Sequence, residues 1–134
     1  MSVIQMHEAQ FGDKLGVPKP FALHKGVYAG NGMVFDNNSV RGREGLYSWA
    51  EFAQGWPVRL VERPNVNFYQ VQNRIQAALD APKPYKVWDS NCEHSANRVI
   101  YGEKRSETKE LFGGLAACAA MAMLLVMLAP KLKA

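Results

Sequence analysis

The residues of this chain best suited to chemistry sit in the run Asp89-Ser90-Asn91-Cys92-Glu93-His94. A cysteine attacks electrophiles as its thiolate, and it needs a base within hydrogen-bond reach to give up its proton. Ser90-x-x-Glu93 has the form of a capping box. With Ser90 as N-cap, Cys92 is the second residue of a helix. The first-turn amides of a helix have no intrahelical acceptor, and the positive end of its dipole lies there. Both effects favour thiolate over thiol, and the same amides suit the oxyanion of a tetrahedral intermediate. The expected chemistry is attack of Cys92 on an acyl carbonyl.

Three histidines compete for the role of base. His94 is adjacent in sequence, but two residues along a helix turn it about 200° away from Cys92. It reads as a structural residue. His7 lies in the least patterned part of the chain and reads as a surface residue. His24 begins a β-prone run that turns at Gly30-Asn31-Gly32 and returns through Met33 to Asp36. Gly-Asn-Gly suits a three-residue hairpin connection. That loop pairs Ala29 with Met33 and Gly26 with Asp36, so His24 shares a face with Asp36 one diagonal step away. A two-residue turn would put the two on opposite faces. Nucleophile Cys92, base His24 and orienting carboxylate Asp36 then form a triad.

The elements that must hold these residues are legible to different degrees. Residues 1–10 read as a short strand or ordered arm. Phe11 to Pro20, with two glycines and two prolines, reads as a loop. Ser48-x-x-Glu51 is a second capping box, opening a short helix that Gly55 can end. Pro57 to Glu62 alternates like a half-buried strand. Asn67 is a natural N-cap for a helix to Leu79, with Phe68, Val71, Ile75, Ala78 and Leu79 on its apolar stripe. Tyr85 to Trp88 is short and β-prone. A last helix starts near Asn91, carries Val99 and Ile100 inward and stops at Gly102. Strands and helices are segregated, so the expected class is α+β with a small antiparallel sheet.

Asn91-Cys92-Glu93-His94 resembles the cysteine block of lecithin:retinol acyltransferase-like proteins, within the wider NlpC/P60 group. The segment from His24 through Tyr28, Gly30 and Gly32 to Asp36 resembles that family's histidine block. Gly12-Asp13, Asn97 and Tyr101-Gly102 match its surroundings. The likeness covers roughly residues 11–103 in order and spacing. It implies a permuted papain-like fold, Cys92 as nucleophile and His24 as base. It also implies an acyltransferase or phospholipase acting on an acyl lipid. The chain departs from the family in two places: Asp36 stands where animal members have a second histidine, and Ser95-Ala96 replaces Phe-Val. A cysteine peptidase or amidase is the alternative within the wider group. A catalytically silent, membrane-tethered binding module is the alternative outside enzymes.

Composition bounds the rest. The net charge is +4, and Lys131 and Lys133 supply two of those charges. No basic run is interleaved with aromatics, so nucleic acid is not an expected partner. The two cysteines lie in dissimilar surroundings, Cys118 in an apolar stretch, which fits reduced thiols. No cluster has metal-ligand spacing, and no cofactor is implied. Leu111 to Ala129 carries no charge. As a helix it would span about 28 Å, near the thickness of a bilayer core. Residues 1–105 thus read as a catalytic domain and 106–134 as a C-terminal hydrophobic helix. With no leader pattern at the N-terminus and basic residues on the helix's near flank, the expected arrangement is a tail anchor with a cytoplasmic domain.

Overall fold

In the computed structural model of the protein, the described residues are 1–20, 22–86 and 91–102. They form β1 (Ser2–Val3), a 3₁₀ turn (Met6–Glu8), β2 (Lys14–Lys19), β3 (Ala22–Gly30), β4 (Met33–Asn37) and β5 (Glu44–Ser48). Then follow α1 (Trp49–Ala53), β6 (Arg59–Glu62), α2 (Phe68–Asp80) and α3 (Cys92–Tyr101). The strands make one sheet in the order β1-β6-β2-β3-β4-β5, antiparallel throughout. The α+β class is as expected. The apolar run Leu111 to Ala129, Cys118 and the terminal lysines lie outside the described residues, as do Val87 to Ser90. Among the described residues, no helix is long and apolar enough to cross a membrane.

Two expectations about β structure are overturned. Phe11 to Pro20 is not a loop: it holds β2, paired with β3 along its whole length and with β6 from Lys14 to Gly16. Glycine and proline masked the alternation of Leu15 and Val17, both fully buried. Pro18 is tolerated because the β6 pairing stops at Gly16, so its missing N–H costs no ladder bond on that side. The second correction concerns the hairpin. Gly30 pairs with Met33, leaving a two-residue turn, Asn31-Gly32, whose φ values are 53° and 75°. Both are positive, as a type I′ turn requires. The register then shifts between Tyr28 and Gly30, so Ala29 is the extra residue of a bulge. The bulge offsets the shorter turn. Gly26 still faces Asp36, the pairing expected from the three-residue loop.

The alternation of side chains along β3 and β4 divides the core in two. Tyr28 and Val34 join Leu15, Val17, Phe52 and Val58 on the face that α1 covers. Val27 and Phe35 join Val71, Ile75, Ala96 and Val99 on the face that α2 and α3 cover. Lys14, opposite Val27, is fully buried, and its Nζ donates to Asn97 Oδ1 of α3 at 2.9 Å. Burying a charge without such a partner would be costly. Two ion pairs also fasten the sheet. Arg63 donates twice to the buried Asp13 carboxylate at 2.8 Å, and Arg98 of α3 donates to Glu44 at 2.6 Å. Asn67 caps α2 as expected, accepting from the Gln70 amide. Phe68 is half exposed and stacks on Phe11 instead of entering the core.

Candidate active site

His24 stands near the start of β3, on the face covered by α1, its ring centroid 5.3 Å from that of Phe52. Gly26 makes this packing possible. A Cβ there would lie 2.7 Å from Val34 Cγ1 and 2.8 Å from Phe52 Cε1. Asp36, facing Gly26, reaches diagonally across the ladder. His24 Nε2 donates to Asp36 Oδ2 at 2.8 Å, and both groups are buried. The Asn38 side-chain amide also approaches both carboxylate oxygens, at 3.4 Å. With Nε2 given to Asp36, Nδ1 is the ring nitrogen left for the sulfur.

Cys92 arrives from the other element. It is the first residue of α3, one position earlier than expected, because the N-cap is Asn91 and not Ser90. The Asn91 side chain accepts from the His94 amide at 3.0 Å, and the Asn91 amide donates to His94 Nδ1. The pair forms a reciprocal capping box in which histidine takes the place usually held by glutamate. His94 thus stands in the capping box at the helix start, hydrogen-bonded to Asn91. His7 sits exposed in the 3₁₀ turn. The helix start therefore explains three residues of the Asn-Cys-Glu-His run by one device. Asn91 and His94 hold the turn, and Cys92 is placed at its positive end.

Cys92, His24 and Asp36 are brought together. Burial opposes charge on His24, but its hydrogen bonds to Asp36 and to Cys92 win, and its pKa rises to about 9. Burial likewise favours the neutral thiol of Cys92. The bond from His24, the imidazolium charge, the Lys25 backbone N–H and the Lys25 ammonium together outweigh it, so the thiol pKa is lowered. Both shifts run toward the thiolate and imidazolium forms, because each charge is stabilised by the other across the His24–Cys92 hydrogen bond.

Sequence reasoning missed three neighbours. Lys25 follows His24, and its Nζ lies 3.5 Å from Glu93 Oε1, the residue after Cys92. Tyr85 lies within range of the sulfur's charge. Burial and that charge push its phenol up to about 12, so it remains protonated and able to donate. No spacing rule links Tyr85 to Cys92; only the chain's return beside β5 does, where the Tyr85 amide donates to Gly42 O. The reach of Lys25 to Glu93 was equally hidden, since it depends on how α3 meets β3. Among the described residues, no group of His, Cys, Asp and Glu could hold a metal ion. No family model matches the chain, and no curated protein matches it.

Proposed function

We propose that this protein is a cysteine-dependent acyl-transfer enzyme with Cys92 as nucleophile, His24 as base and Asp36 as its orienter. The observation that carries the reading is the His24 Nε2 to Asp36 Oδ2 bond of 2.8 Å on an imidazole whose other side is bonded to Cys92. A half-buried thiolate at a capped helix start, against an antiparallel sheet that supplies an oriented histidine, also suits the permuted papain-like arrangement that the sequence resembles.

The steps balance as follows. The Cys92 thiolate attacks the acyl carbonyl and an S–C bond forms. The carbonyl oxygen gains negative charge near the positive end of α3 and the protonated Tyr85. As the tetrahedral adduct collapses, the bond to the leaving oxygen or nitrogen breaks, and the His24 imidazolium protonates it. The thioester remains. Neutral His24 then takes a proton from water, an alcohol or an amine, which attacks the thioester and regenerates the thiolate. Asp36 keeps the imidazole ring in orientation throughout.

The substrate class assigned to this site is an acyl lipid. The uncharged run Leu111 to Ala129 supports it: as a membrane-spanning helix it would hold the domain of residues 1–105 at a bilayer surface. The test is incubation of the full chain with phospholipid labelled in its acyl group. A thioester on the Cys92 peptide, absent in Cys92→Ser, supports the reading. Cleavage of a peptide with no acyl label on Cys92 overturns the lipid assignment. No modification of Cys92 by any acyl donor, with an ordinary thiol titration, overturns the enzyme.

A further inference from the structure

The ladder between β3 and β4 runs from Gly30 back to Gly26 and stops there. His24 and Lys25 lie beyond it, on a stretch of β3 that β2 still pairs on its other edge. The first turn of α3 meets this stretch. Its contacts there use consecutive residues on both sides. Cys92 receives the His24 side chain and the Lys25 backbone N–H, and Glu93 receives the Lys25 ammonium. Neighbouring residues of a strand point to opposite faces. The sulfur is therefore held from one face by the imidazole, in the plane of the sheet by an amide, and from the other face by the Lys25–Glu93 pair. That pair is nearly out of solvent, its side chains 12% and 8% exposed.

We propose that Lys25 is a positioning residue of the site: clamped by Glu93, it holds the open edge of β3 against the first turn of α3, so that the Cys92 sulfur sits between its amide and His24. The inference rests on the acyl-transfer reading only for its consequence in catalysis; the geometry and the thiol's reactivity stand without it. Two effects act on the sulfur. The amide donates a hydrogen bond that favours the thiolate, and the ammonium adds a positive charge where little water screens it. Among the described residues, the titratable groups around Cys92 are His24 and Lys25 from β3, with Asp36 of β4 behind the imidazole, Tyr85 from the segment after α2, and Glu93, next along its own helix. Of these only His24 and Lys25 bring positive charge that favours the thiolate.

The experiment is alkylation of the full chain by iodoacetamide across pH, read by mass spectrometry on the Cys92 peptide so that Cys118 does not contribute. Lys25→Met is expected to raise the midpoint by about one unit, an alkylation rate about tenfold lower at pH values below the wild-type midpoint. Lys25→Arg, which keeps the charge, should retain most of the wild-type rate. The double change Lys25→Met with Glu93→Gln leaves no lone buried charge and should show the same loss; it is the variant to use if Lys25→Met alone does not fold. A wild-type midpoint in either Met-containing variant overturns the proposal. His24→Gln in the same assay separates the two readings. If it raises the midpoint while the Lys25 variants do not, only the positioning role fails. If it leaves the midpoint unmoved, the dyad itself fails.

Discussion

Asp36 Oδ2 lies 2.8 Å from His24 Nε2 although the two residues are not cross-strand partners. Asp36 faces Gly26, and the carboxylate reaches the imidazole along the diagonal of the ladder. The diagonal exists on one face only because the bulge at Ala29 restores the register that the tight Asn31-Gly32 turn would otherwise have shifted. An inserted residue five positions from the base thus decides which carboxylate orients it.

The charge state of the pair sets a pH profile. Acylation needs the thiolate and the imidazolium together. Activity should rise as Cys92 loses its proton, on an acid limb below the ordinary thiol value of 9.0, and fall on an alkaline limb near pH 9 as His24 loses its own. The check is kcat/KM against pH on a soluble ester. An acid limb at the ordinary thiol value contradicts the ion pair.

Asp36→Asn removes the partner that holds the imidazole. We expect kcat to fall by about 10⁴-fold, the drop seen when the orienting acid of a triad becomes an amide. Stability changes with a definite sign. His24 has its pKa raised from 6.5 to about 9, so its stabilisation is complete below pH 6.5 and disappears as pH climbs through about 9. The gap in melting temperature between wild type and Asp36→Asn should be widest near pH 6 and close above pH 9. A gap that widens with pH contradicts the assignment.

His94→Gln tests the capping role. Glutamine at the third helical position is a natural capping-box residue, able to accept from the Asn91 amide. Activity should stay within about fivefold of wild type by the general rule that a structural cap is worth about 1 kcal/mol, whereas His24→Gln should abolish turnover. Equal loss in both variants would move His94 into the chemistry.

Gly26→Ala probes the packing beneath the base. Its methyl would sit 2.8 Å from Phe52 Cε1 and 3.0 Å from the Phe35 carbonyl oxygen, so Phe52 must shift under the imidazole. Overpacking of this kind costs about 1–3 kcal/mol. Chemical denaturation should show that loss, and the midpoint of Cys92 alkylation should rise along with it. A variant as stable as wild type, with an unmoved midpoint, removes Phe52 and Gly26 from the account.

Local rules read much of this molecule from its residues alone. Asn67 and Ser48 open α2 and α1 where side-chain oxygens can cap free amides, and Gly102 ends α3 in the left-handed region, as each residue type dictates. The Gly26–Asp36 pairing was expected too, but from a three-residue loop; the same register arises from a two-residue turn and a bulge. Other features needed tertiary structure. Pro18 and Gly16 hide β2, because the ladders that overrule local propensity come from β3 and β6, distant in sequence. Ser90 and Asn91 are both good caps by residue type, and the structure uses Asn91, in a capping box closed by His94. The bulge at Ala29 has no residue signature; it arises where the turn's preferred geometry and the core's preferred faces disagree by one residue. Lys25, Glu93 and Tyr85 enter the site for the same reason: charges and hydrogen bonds act over a few ångströms of space, and the sequence orders those residues by distance along the chain.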